Sequence, residues 1–206
     1  MNENYPEENT PEYEQMMRQH YGDNYELGFR VGFGKRLGAF VLDLVFLMIL
    51  SLIIMTITGV FDEFIAMAEQ ISKSGSFDFS IMQNLEEKYP GIEAATLWNV
   101  IVALLYWAIE GMTGASPAKH ALGLMIGSET RNKATSGELW SRYLYKNLNT
   151  IFSLLFVLTA TYAFDLLSSL LSLAFFIGCF FVLGVKRQSF HDILSKTAVF
   201  HKDTIN

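Results

Sequence analysis

The chain alternates long apolar runs with charged connections, and each run carries a single acid. Leu37–Val60 holds only Asp43, Ala94–Met112 only Glu110, and Leu148–Val185 only Asp165. A helix needs about 20 apolar residues to cross a bilayer core of roughly 30 Å, so the first two runs predict one span each. The third has 38 residues, about 57 Å as a helix, and predicts two, with the first starting near Leu139 and the turn near Phe164-Asp165. The expected fold is all-α and integral to the membrane, with four transmembrane helices over residues 37–60, 94–112, 139–163 and 166–185. Asp165 then lies at the outer surface as a cap of the fourth helix.

The connections set the orientation. Residues 1–34 read as an acidic, mobile cytoplasmic tail: residues 1–26 carry seven acids against Arg18 alone, and Pro6 and Pro11 interrupt any early helix. Lys35-Arg36 stands at the mouth of the first span. The loop 61–94 holds seven acids against Lys73 and Lys88, whereas residues 113–147 carry Lys119, Arg131, Lys133, Arg142 and Lys146 against Glu129 and Glu138, and Lys186-Arg187 follows the last span. Basic segments stay in the cytoplasm, so both termini are expected there and the acidic loop outside. Tyr89, Trp98, Tyr106, Trp107, Trp140, Tyr143 and Tyr145 fall near predicted span ends, as interfacial aromatic belts do.

Residues 35–200 therefore form the membrane domain and 201–206 a short C-terminal tail. Within the basic connection, Leu122–Ser128 reads as an edge strand and Thr135-Ser136-Gly137-Glu138 has capping-box spacing. Thr197–His201 alternates weakly as a second strand, giving a small cytoplasmic β-unit. Gly111 and Gly114 mark a close-packing position or a helix stop.

Composition narrows the function. The 206 residues are 51% hydrophobic and leave room for one membrane bundle. Residues 1–34 have no signal-peptide pattern, so the first span is expected to direct insertion. Cys179 is the single cysteine, which excludes an internal disulfide and a Cys-x-x-Cys metal site and leaves a thiol packed in the bundle or facing lipid. The net charge of −6 argues against a nucleic-acid partner. His20, His120, His191 and His201 lack metal-ligand spacing, no phosphate-cradling glycine loop is present, and Ser116 with His120 lacks a nucleophile elbow. No cofactor, metal or enzymatic activity is expected.

The candidate site is a layer of charge. Arg36 and Asp43 share one helix face two turns apart, too far for an unstrained pair once Arg36 extends outward, so partners from other helices are expected. Glu110 ends the second span, Arg142 opens the third and Asp192 follows the fourth. These five groups, Arg36, Asp43, Glu110, Arg142 and Asp192, are placed at one depth near the inner interface, where an ionic network would satisfy the buried acids.

Three segments carry a resemblance. FGKRLGAFVLDLVFL, with Arg36 and Asp43, resembles the first helix of the RDD family of prokaryotic membrane proteins, named for one arginine and two aspartates. GASPAKHALGLMIGSETRNKATSGELWSRYL resembles its Gly-Lys-Leu-Gly connection and following arginine, here Lys119, Gly123, Leu124 and Arg142. KRQSFHDILSKTAVF resembles its terminal element, here His191, Asp192 and Thr197. The likeness covers roughly residues 33–200, with departures at Ala118, at Ser195-Lys196 and in the length of the outer loop. It implies a compact helical membrane domain, linked in some members to cation/proton exchange and in others to accessory or regulatory roles.

Two functions follow. In the first, the protein moves a monovalent cation or a proton across the cell membrane, with Asp43 as the titrating or ion-binding acid tuned by Arg36 and Glu110, and a homo-oligomer builds the path. In the second, it is a non-catalytic regulator or accessory protein that binds an unrelated membrane partner, and the charge layer is structural.

Overall fold

The computed structural model describes residues 10–74 and 90–205. Helix α1 (Pro11–Tyr21) is followed by a 3-10 segment (Gly22–Phe29), then α2 (Phe33–Ile57), α3 (Phe61–Ser74), α4 (Pro90–Thr113) and the short α5 (Pro117–Ala121). Strand β1 (Leu124–Ser128) leads to α6 (Ser136–Thr159) and α7 (Tyr162–Cys179). A 3-10 turn (Phe180–Leu183), the short α8 (Phe190–Leu194), β2 (Thr197–His201) and a last 3-10 turn (Lys202–Thr204) complete the order.

Among the described residues, three helical stretches are long and apolar enough to cross a membrane: Phe33–Ile57, Ala94–Thr113 and Tyr162–Leu183. Helix α6 is comparably long at 24 residues, but its first half carries Glu138, Arg142 and Lys146. It packs between α4 and α7, while α2 lies against α4.

Helix ends follow local chemistry. Gly59 and Gly114, at φ of +73° and +79°, adopt the left-handed conformation that glycine tolerates just past α2 and α4. A Cβ on Gly111 would stand 3.4 Å from Trp140 and Tyr143, so α4 also packs closely on α6 there. The capping box read from Thr135 and Glu138 is formed at the start of α6. The break between α6 and α7 falls earlier than the predicted turn: Ala160 is left-handed at φ 50° and Thr161 is the N-cap. Asp165 therefore lies in the first turn of α7 and is not its cap; a carboxylate there still meets the positive end of the helix dipole.

Two further expectations change. Residues 61–74 of the predicted acidic loop form an amphipathic helix, α3, because Phe61, Phe64 and Ile65 recur at helical spacing. Glu63 Oε2 accepts from Gly91 N at 3.2 Å, tying α3 to the start of α4. In the predicted mobile tail, Pro11 opens a helix rather than preventing one, as proline does in a first turn, and Thr10 Oγ1 caps it by accepting from Tyr13 N. Tyr89, Asp78, Glu86, Glu87 and the acidic stretch before Thr10 lie outside the described residues.

The apolar core sits at one end of the molecule. β1 and β2 pair antiparallel with Ile126 opposite Val199, close to the two strands read from the sequence. Arg30 bridges to Phe200, and Val31 N donates to Val199 O at 2.8 Å. Val31, Ala39, Leu124, Ile126 and Val199 form one buried cluster. Phe29, Ala198 and Phe200 form a second, covered by Tyr13, Met17 and Tyr25. Glu14 pairs with Arg131 at 2.6 Å across this contact. The long helices show the opposite pattern, with large apolar side chains exposed along their outer faces, as lipid requires.

Gly178 sets how closely α7 meets α8: an added Cβ would lie 2.5 Å from Phe190 Cβ. Gly178→Val is expected to destabilise the protein by about 1–3 kcal/mol through overpacking, read as a lowered Tm in detergent, while Gly38→Val, at an open position, changes it by less than half as much.

Candidate functional site

Two buried carboxylates organise the site, each filled by cations from other elements. Asp192 opens α8 and is fully buried. Its Oδ2 accepts from Arg36 Nη1 at 2.5 Å and from Ser189 N at 3.0 Å, the latter as half of a capping box. Its Oδ1 accepts from Arg142 Nε at 2.8 Å. Glu110, in the last turn of α4 and 3% exposed, accepts from Arg142 Nη1, from Lys119 Nζ at 2.6 Å and from Lys146 Nζ at 3.1 Å. Arg142 is thus the bridge: one planar guanidinium, 3% exposed, serves both carboxylates. That fork geometry is specific to arginine.

Backbone groups complete the layer. Arg36 Nε donates to Val31 O and Nη2 to Arg187 O, so the entry of α2 is tied to the chain after α7. Lys146 Nζ also lies 3.4 Å from the centre of the Trp107 ring, a cation–π contact. His191 Nε2 faces Arg142 Nη2 at 3.1 Å and Ser189 Oγ at 2.9 Å. Because arginine can only donate, this nitrogen is the acceptor of a neutral imidazole.

Asp43 stands apart from the ion pairs. It is 1% exposed and accepts from Tyr106 Oη and Ser116 Oγ, both at 2.6 Å, and from Ala118 N at 3.1 Å. The carboxylate therefore receives the N-terminus of α5 and fastens α2 to α4 and to the connection beyond it. As expected, its partners come from other elements; Arg36 is committed to Asp192, and Glu110 to Arg142 and the two lysines. Of the five predicted residues, four form one ionic chain, Arg36–Asp192–Arg142–Glu110, while Asp43 is held by hydroxyls and a backbone amide.

Sequence reading underestimated Tyr106, Trp107, Ser116 and Lys146. Tyr106 and Trp107 read as interfacial aromatics but are buried. The signal was in the spacing: Tyr106 with Glu110, and Arg142 with Lys146, are i, i+4 pairs on one helix face. Ser116 was weighed only as a nucleophile; it is the N-cap of α5.

The groups beyond the spans are shifted. Burial works against the Asp192 carboxylate, but Arg142 and Arg36 outweigh it and hold it well below its ordinary range. Burial, reinforced by Arg142, pushes His191 well below its ordinary value. Among the described residues no group of three or more His, Cys, Asp or Glu side chains is placed to hold a metal ion.

The model of the RDD family matches residues 30–196, which includes every residue of this layer. No curated protein and no solved structure matches the chain.

Both shifts have the same sign for acid stability. As pH falls below about 6.5, the unfolded chain protonates His191 while the folded state does not, and below about 4 the same holds for Asp192. Stability is expected to be complete above pH 6.5 and to fall towards pH 4.5 at up to about 1.4 kcal/mol per pH unit from His191. In His191→Gln this contribution vanishes and the Asp192 loss, starting near pH 4, remains. Denaturation in detergent across pH 4–8 measures both.

Proposed function

The chain belongs to the RDD family, and from that premise we propose a non-enzymatic, four-span protein of the cell membrane that acts as an accessory or regulator of a membrane partner, with the ionic layer as its structural clamp. The observation that carries this reading is the saturation of the buried acids. Asp43 receives three protein donors, and Glu110 and Asp192 receive cations on both oxygens. A transporting acid must exchange its ligands with water or a passing ion; these acids are occupied by the protein itself.

Strand pairing supports the fourth span. β1 precedes α6 and β2 follows α7, and the two strands pair. Both strands therefore lie on one side of the membrane. If α7 crosses, α6 crosses too, returning the chain to its partner. At about 36 Å, α6 is long enough. Arg30, which precedes α2, bridges to the same β-unit, so the N-terminal segment shares its side. With Lys119, Lys133, Lys186 and Arg187 on that side, the positive-inside rule makes it cytoplasmic and puts α3 outside. The surfaces left for a partner are the acidic N-terminal region, the outer segment 61–94 and the cytoplasmic unit.

The competing reading, a cation or proton carried by Asp43, is decided by flux. Proteoliposomes of wild type and Asp43→Asn are given Na⁺, K⁺ and Li⁺ pulses and followed with a pH dye. The expected result is no cation-dependent proton flux from either, with Asp43→Asn less stable by about 1–3 kcal/mol because a buried donor loses its acceptor. Flux in wild type that is lost in a folded Asp43→Asn would replace the accessory reading with transport.

A further inference from the structure

A second polar feature lies outside the ionic layer. A cavity of about 500 Å³ opens where the 3-10 segment meets the first turn of α2 and the C-terminal strand. Its charged lining is of one sign: Arg30, Lys35 and Arg187, with His201 beside them, and no carboxylate among the lining residues. In a chain of net charge −6 this is a local inversion. Buried ionic contacts elsewhere are neutralised; here three cationic residues line one cavity. Lys35 Nζ lies 2.9 Å from His201 Nε2, and Arg187 Nη1 donates only to Arg30 O, at 3.0 Å. Neither Lys35 nor Arg187 makes a salt bridge among the described residues.

Two features of the wall add positive potential. Arg30 is 6% exposed; its terminal nitrogens donate to Lys186 O and Glu129 O, but its Nε is buried without a partner. The N-terminus of α2 forms the cavity wall through Gly32 and Gly34. Gly32 is the N-cap and offers no side-chain bond, and an added Cβ at either glycine would meet nothing within 4 Å. No side-chain cap bond is made at the amino end of this 25-residue helix, its positive end.

We propose that this cavity binds a phosphate group, through Lys35, Arg187 and the amino end of α2, with Arg30 behind them. A tetrahedral oxyanion matches several cationic donors and helix amides converging on one space. Lys35 lies in the first turn of the first span, so the site is at the membrane surface. The phosphate belongs either to the headgroup of an anionic lipid or to a soluble phosphate compound.

The test uses the full chain in neutral detergent with its lipid removed. Inorganic phosphate, dioctanoyl-phosphatidylglycerol and dioctanoyl-phosphatidylcholine are titrated separately, and apparent Kd is taken from the shift in Tm. Saturable binding of phosphatidylglycerol alone identifies the lipid source, and binding of inorganic phosphate as well identifies the soluble one. In either case Lys35→Gln and Arg187→Gln each weaken binding by roughly tenfold or more, as expected for losing a charge-assisted hydrogen bond. Lys35 is exposed, so Lys35→Gln decides the matter even if Arg187→Gln fails to fold. The proposal is overturned if neither anion binds saturably, if phosphatidylcholine binds as well as phosphatidylglycerol, or if Lys35→Gln binds as wild type does.

Discussion

Two carboxylates removed from water must be neutralised, and in this protein one guanidinium bridges both while Arg36, Lys119 and Lys146 supply the remaining positive charge. Arg142 reaches Glu110 on one side and Asp192 on the other, and every other member of the layer is added to that bridge. Arg36 brings in the entry of α2, Lys119 the connection after α4, and Lys146 the next turn of α6. Burying charge is costly, and removing one partner of a buried pair typically costs about 3–5 kcal/mol. The energetic consequence is register: helices whose outer faces are slippery and apolar can slide in lipid, but they cannot slide without breaking this chain.

The layer also joins two structural regimes. Outside the membrane, folding follows the ordinary rule, with Ile126, Val199 and Phe200 of the two-stranded sheet buried and α1 packed over Phe200. Inside it, lipid is as apolar as leucine and offers no hydrophobic drive to bring helices together, so packing and polar contacts hold the bundle. Asp192 belongs to both regimes. It caps α8, which leads into β2, and it pairs with the helices of the bundle. Asp43 does similar work from within α2 by fastening α5, whose C-terminus leads into β1. Each strand of the sheet is thus anchored by one buried aspartate.

Much of this was legible in the sequence, for physical reasons. A single acid in an apolar run is expensive, so Asp43 and Glu110 announce themselves. Arg142 and Asp192 are found from depth and orientation alone, because positive-inside asymmetry fixes which helix ends meet. The capping box at Thr135 and the strands at 124–128 and 197–201 rest on local chemistry and came through nearly unchanged. That the partners of Asp43 come from other elements was legible, because a pair with Arg36 two turns away on the same helix would be strained; which groups they are, Tyr106 and Ser116, was not, because that depends on packing no single sequence displays. The N-terminal stretch was misread because acidic composition outweighed the apolar trio Tyr13, Met17 and Tyr25, which pays its ordering entropy only when Phe29 and Phe200 are present to receive it. The turn between α6 and α7 was misplaced because Ala160 takes a left-handed conformation that sequence assigns to glycine.

The ends of the first and last spans are coupled through Arg36 and Asp192, which are 156 positions apart in the chain. A double-mutant cycle with Arg36→Met and Asp192→Asn, unfolded reversibly in mixed micelles, measures that coupling directly. The double variant is expected to lose at least about 1 kcal/mol less stability than the two single losses summed, since the second substitution removes a partner already stranded by the first. Losses that add to within about 0.5 kcal/mol would mean that the two side chains stabilise the fold independently, and the ionic layer would not be the clamp.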